Sequence, residues 1–269
     1  MTNRYVAPKG RGTFRRISEA LRAAAPGDVI VVSAGEYVEQ VRLDRSVAVI
    51  AEHGQGSVTL TGIPGEPAVV AEGLECSLRG LVIRAAGDDG STPAIGVAPG
   101  AGLLLEDCVV TGGRIHARGN EGAEQGSDLT GYGVTTLMLR RSRLEKGRLA
   151  ALHLSGRVRA KAEDTVIDAI DGIGVVLSGA AFLDASRLRL TATSGYGFRL
   201  RGASRLEATD GAIRQTGMAG VLLEDASSAA LTDVRIDQAG GPGVHAAGSA
   251  RGELTDCRVR NPRASGLVV

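Results

Sequence analysis

Over the second half of the chain, short bursts of alternating apolar and polar residues return every 23 positions. Gly174, Gly197, Gly220, Gly243 and Gly266 stand at that interval, each followed by an apolar residue: Val175, Phe198, Val221, Val244 and Leu267. Two positions further on come Leu177, Leu200, Leu223, Ala246 and Val269. An apolar side chain at every second position is the signature of a strand, whose residues face opposite sides in turn. A second series, Leu144, Ile167, Leu190, Ile213, Ile236 and Val259, keeps the same interval, with polar neighbours such as Arg235 and Asp237 on the other face. A repeat of 23 residues holding two or three short strands has no room for a helix. Such repeats bury their apolar faces by stacking, strand on strand at about 4.8 Å. The pattern therefore predicts an all-β, right-handed parallel β-helix, a solenoid with an apolar ladder inside.

Only residues 13–25 break the rule. Phe14, Ile17, Leu21 and Ala24 recur at helical spacing, Thr13 is placed to act as N-cap, and Pro26-Gly27 ends the run. The helix precedes the strand signals DVIVVS, VEQVRL and VAVIAE. The expectation is one domain over residues 1–269, with a cap in 1–30, irregular rungs in 31–143 and regular rungs in 144–269. A helix there would cover the amino-terminal end of the tube. The other end stops at SGLVV, in the first strand of a new rung. From that bare end we expect self-association of the carboxy-terminal rungs as a homo-oligomer, or coverage by a partner.

The segment TFRRISEALRAAAPGDVIVVSAGEYVEQVRL, followed by VAVIAEHGQGSVTLTG, resembles the amino-terminal cap and first rungs of the pectin-lyase-like superfamily. Pectinesterases and NosD-like β-helix proteins share its helix, its PGD and its V-x-x-G-x-Y-x-E. The opening is also similar to β-helix regions found beside AAA ATPase modules in some actinobacterial proteins. The resemblance covers residues 5–62; it implies the fold, and by analogy an AAA ATPase-type protein partner. It implies no particular activity, because one fold hosts many functions.

Turn lengths locate a candidate site. From the last apolar residue of a run to the next glycine the count is 7 in five rungs, Ile167 to Gly174 through Val259 to Gly266. From Ile83 to Gly96 it is 13, and from Val110 to Gly133 it is 23. On this reading two insertions lie at one corner of neighbouring rungs and project side by side, the usual seat of function on a rigid scaffold. They bring Asp88, Asp89, Glu121, Glu124 and Asp128 near Arg114, His116 and Arg118, with Tyr132 at the base. As a binding site the set is Asp88, Asp89, Arg114, His116 and Tyr132. As an acid/base site it is His116 with Asp128 or Glu124, assisted by Arg118. A solvated glycine-rich loop is the plain alternative.

Three further sets have bland readings. Asp164, Asp210, Asp233 and Asp256, with Arg187 in the remaining rung, share a phase that suits turn formation better than a metal. His153 and His245 share an outward phase four rungs apart, too far to share an ion, and read as surface residues. Cys76, Cys108 and Cys257 are odd in number and widely spaced, and read as buried thiols of a reducing compartment.

Composition narrows the field. A net charge of +1 gives no nucleic-acid footprint and no membrane-surface patch, and no segment has the length and apolarity of a membrane span. With no leader pattern at the amino terminus, the expected location is cytoplasmic. The aspartate pair of pectinesterases, the N-T-D, G-H-G and R-I-K of polygalacturonases and the D-P-H-E of alginate epimerases are missing. Tryptophan is absent and aromatics make up 3% of the chain, which removes the usual stacking platforms for sugar rings. No cofactor or metal is expected. The sequence therefore favours a non-catalytic scaffold or recognition module that binds a protein or polar ligand through its corner loops. The alternative is a carbohydrate-active or small-molecule enzyme of lyase, isomerase or esterase type.

Overall fold

A computed structural model of the protein describes residues 2–8, 13–87, 90, 92–120 and 133–269. The strands stack in parallel into a β-solenoid whose first sheet has eleven strands, from Asn3–Val6 to Arg251–Thr255. After the strand Asn3–Val6, which leads into the helix, each described turn continues through a second sheet and then a third. In a regular turn the strands are Arg205–Thr209, Ala212–Thr216 and Val221–Leu223, and the same three return at Ser228–Thr232, Arg235–Ala239 and Val244–Ala246. The second and third sheets are joined through one continuous strand, Val166–Ser178, which rounds the corner between them. The expected inner ladder is present: Leu144, Ile167, Leu190, Ile213, Ile236 and Val259 are register partners on successive strands of the second sheet.

Two corners explain two sequence ladders. Between the first and second sheets one residue per turn takes the left-handed conformation: Asp107, Arg141, Asp164, Arg187, Asp210, Asp233 and Asp256 all have φ between 46° and 53°, or 55° at the last. Aspartate tolerates this region because its short side chain bonds locally, which accounts for the carboxylate series without a metal. The residue after it turns inward, and Cys108, Ser142, Thr165 and Cys257 each direct a thiol or hydroxyl to a nearby backbone carbonyl. Cys76 and Cys108 are buried as expected, but Cys257 is only half-buried.

The glycine ladder has another cause. None of Gly174, Gly197, Gly220, Gly243 and Gly266 has positive φ. At Gly220 a Cβ would lie 2.7 Å from the Gly243 carbonyl oxygen and 2.7 Å from Ile236 Cγ2. The ladder leaves space for the next turn's core side chain.

The helix is shorter than the periodicity predicts, Ile17–Ala23, and Thr13 is not its cap. Arg16 stands at the N-cap without a side-chain bond, and the amide groups of Ile17 and Ser18 instead donate to the Glu39 carboxylate at 2.9 and 3.0 Å. The acidic residue of V-x-x-G-x-Y-x-E thus satisfies helix donors from just past the strand Gly35–Val38, where its charge also meets the positive end of the helix dipole. Asp28 of the PGD signature plays a similar part. It accepts from the amide groups of Ala25 and Thr2 and from Arg4, bonds that hold its carboxyl below the usual range. Ile17, Ala20 and Leu21 join the core of the first turns.

Candidate functional site

Strand register moves the site away from the geometry the glycine count suggests. Ile115–Arg118 is itself a strand of the third sheet, paired with Ile95–Val97 on one side and with Arg148–Ser155 on the other. Residues 112–114 therefore form a short corner between the second and third sheets. The long connection after Val110 comes later, 16 residues between Arg118 and Thr135, where the chain passes from the third sheet to the first. The other insertion, 10 residues between Arg84 and Ile95, does sit at the corner between the second and third sheets. Gly96 and Gly133 are not members of the glycine ladder: Gly96 faces outward in the third sheet and Gly133 lies at the end of the second insertion. The two insertions belong to different corners, one on either side of the third sheet.

This correction gives His116 a partner. Aligning Ile115 with Leu152 places His116 beside His153, and the two imidazoles stack with centroids 4.5 Å apart and planes 2° from parallel. His153 is not a bland surface residue. Both rings are half-buried on the outer face of the sheet. Burial, then the neighbouring His153, Arg114 and Arg118, push His116 down to about 4, and burial and Arg114 lower His153 as well. Both are neutral at pH 7. Ser155 Oγ lies 3.4 Å from His116 Nε2, a long hydrogen bond from the strand that carries His153.

Arg114 in the corner and His116 and Arg118 on the strand alternate with the buried Ile115 and Ala117, which sets all three outward. The Arg114 guanidinium is half-buried and donates to the Gly90 carbonyl, tying the first insertion to this strand. Gly90 also lies against Arg148, two turns on, where a Cβ would meet the arginine's own Cβ at 2.6 Å. On the other side the base of the second insertion is stapled by buried Thr135. Its hydroxyl accepts from the Gly100 amide and donates to the Arg118 carbonyl, both at 2.9 Å. Asp88, Asp89, Glu121, Glu124, Asp128 and Tyr132 lie outside the described residues. Among those described, no carboxylate bonds to either imidazole and no cluster of three metal-ligating side chains occurs.

No protein-family model matches the chain, and no curated protein matches it in sequence. Solved structures do. A pectate lyase, Pel9A, superimposes with a TM-score of 0.54 at 14% identity, over 91% of this chain and 68% of its own. Pectin methylesterase from carrot gives 0.53 at 13% identity, over 100% and 86%. The enzymatically active domain of tailspike protein 2 of bacteriophage CBA120 gives 0.60 at 10%, over 95% of this chain and 43% of its own. The chain has the parallel β-helix fold of these proteins. Most similar structures are named as carbohydrate-active enzymes, a rhamnogalacturonan lyase and an alginate lyase among them. At these identities the likeness establishes the β-helix, and the chemistry has to be argued from the side chains.

Proposed function

We propose that the chain is a carbohydrate-active β-helix enzyme whose site is the outer face of the third sheet, with an acidic glycan as substrate. The observation that carries this is the stacked, neutral pair His116 and His153, set between Arg114 and Arg118 with a long connection at either corner. A neutral imidazole has a lone pair to accept a proton. Two guanidinium groups beside it hold and neutralise a sugar carboxylate, which acidifies the adjacent C–H and stabilises the charge that develops when that proton leaves. His116 is the proton acceptor in this reading, Arg114 and Arg118 the carboxylate clamp, and His153 the support that fixes the ring. The carbohydrate chemistry named for the fold's solved examples supports the class.

The missing aromatics fit this substrate better than a neutral one. An acidic glycan is held through its charges, whereas neutral rings need apolar platforms. One observation favours a second reading, a module that binds such a glycan without altering it: no carboxylate hydrogen-bonds to either imidazole among the described residues. Incubation with polygalacturonate and with alginate separates the two. An enzyme yields unsaturated product, the glycosidic oxygen beta to the carboxylate leaving with a proton, or an epimer when the proton returns on the opposite face, and His116→Ala lowers its rate by about 10²-fold or more while glycan binding is retained. Binding of wild-type protein with no product assigns the module. Binding to neither polymer overturns both.

A further inference from the structure

Several arginines of this chain come with carboxylates. Arg143 bridges Glu145 and Asp168, Arg199 pairs with Glu224 at 2.7 Å, and Arg187 forks onto Asp164. Three others on the outer face of the second sheet do not. Arg189, Arg214 and Arg235 are exposed and make no ion pair or side-chain hydrogen bond among the described residues. They surround a concavity of about 580 Å³ whose floor is Gly211 and Ala212.

The register shows how the concavity arises. Ala212 is the direct partner of Arg189 on one side and of Arg235 on the other. A methyl group thus stands where both neighbouring turns carry a guanidinium, so the two arginine stems rise on either side of a gap two strand spacings wide, about 9.6 Å between backbones. Arg214 enters from Ala212's own strand, two residues on, and Arg187 and Asp210 line the corner. Four arginines against two aspartates, Asp164 and Asp210, leave the concavity with a net charge of +2. Tryptophan is absent from the chain, and no aromatic side chain lines the concavity.

We propose that this concavity is an oxyanion-binding site, distinct from the histidine face, for a carboxylate, sulfate or phosphate group carried on a polyhydroxylated ligand. Guanidinium forks match the two oxygens of such a group and are less strongly hydrated than ammonium, so an unpaired set around a small-residue floor selects a planar or tetrahedral oxyanion. Asp210 at the rim accepts hydrogen bonds from the hydroxyls of a polyhydroxylated ligand, several of which can reach it where an inorganic ion offers one or two at most. The missing aromatics set this surface apart from single-stranded nucleic-acid grooves, where bases stack on rings. The site does not depend on the reading of His116, because it lies on another sheet.

Calorimetric titration of the full chain at constant ionic strength tests it, with D-galacturonate, galactose 6-sulfate, galactose 6-phosphate and inorganic phosphate as probes and D-galactose as the neutral control. The expected result is saturable binding of at least one anionic sugar and none of galactose, weakened about tenfold or more in Arg189→Ser/Arg235→Ser. The same binding should persist in His116→Ala. Whichever sugar anion binds most tightly names the group. Ala212→Glu, which places a carboxylate in the gap, should abolish binding without changing the melting temperature. No saturation by any probe, binding unchanged in the double serine variant, or binding lost in His116→Ala would each overturn the proposal. So would inorganic phosphate matching the sugars.

Discussion

The turns before residue 158 and those after it are built from the same three sheets, yet they treat their corners differently. After residue 178, the passage from the second sheet to the third takes 4 residues in each of the turns entered by Phe198, Val221 and Val244, and every such turn carries the glycine that admits the next core side chain. Before residue 158 the same passage takes 10 residues ahead of Ile95 and 3 ahead of Ile115. The regular half keeps its corners and its stacking uniform. The irregular half gives up uniform corners, and there two imidazoles and two guanidinium groups share the third sheet, with a long connection entering it and another leaving it. A solenoid distributes stability over every interface between turns, so a few corners can diverge without loss of the core.

Glycine substitution breaks the comparison most sharply. Gly220→Ala sets a methyl against the Gly243 carbonyl and Ile236, both at 2.7 Å, where backbone and core cannot both move aside. It should cost about 1–3 kcal/mol as overpacking. Gly96, which a count along the chain would place in the same series, has only Pro67 Cγ at 4.0 Å, and Gly96→Ala should change stability by less than about 0.5 kcal/mol. Denaturant unfolding of the two variants is the measurement. Equal losses would mean that Gly96 belongs to the ladder and that the register of the early turns is wrong.

The same two glycines show what was legible in the sequence. The fold was readable because identical spacing forces identical phase: once Ile167 to Val259 repeat at 23, the inner ladder follows. The amino-terminal motif was readable as a signature, although its physical content, Glu39 satisfying helix donors, lies in a contact between residues 21 and 22 apart. The site was half readable. Arg114, His116 and Arg118 read as a group, but glycine spacing alone assigns the strand around them to a loop. Corner length varies freely in a solenoid, whereas strand alternation does not, so the stronger signal was Ile115-His116-Ala117 set against Leu152-His153-Leu154. That alignment spans 37 residues and falls outside the repeat interval. The carboxylates placed beside His116 on the assumption of a shared corner belong to insertions at separate corners.

Acid sharpens the comparison through the histidine pair. The unfolded chain takes up a proton on each imidazole near the ordinary value of 6.5, whereas folded His116 resists until about 4. Between those values the unfolded state binds more protons, so stability rises with pH and is lost as pH falls through the window. His153 acts in the same direction. Melting temperature should therefore fall from about pH 6.5 toward pH 4.5, before most carboxylates titrate. The slope should be shallower in His116→Gln and shallowest in His116→Gln/His153→Gln. An identical slope in the double variant would place both rings in water and remove the built character of the site.

The smallest effect compares one position in the two halves. Cys108 and Cys257 occupy the same place at the corner after the first sheet, each directing its thiol to backbone carbonyls of its own turn and the preceding one. Cys108 has turns packed on both sides, and burial pushes its thiol up to about 11; Cys76 is raised by burial too. Cys257 lies in the final described turn with the Val234 turn on one side, and it is half-buried. Thiolate is the reactive species, so a thiol reagent at mildly alkaline pH should modify Cys257 first and the other two only after unfolding. Cys257→Ser should leave the native protein unreactive on that timescale. Mass spectrometry of the labelled chain reads the outcome directly. If one thiol still reacted quickly in the Cys257→Ser protein, an early turn would be opening in the native state, and the irregular half would be locally looser than its buried corner at Cys108 implies.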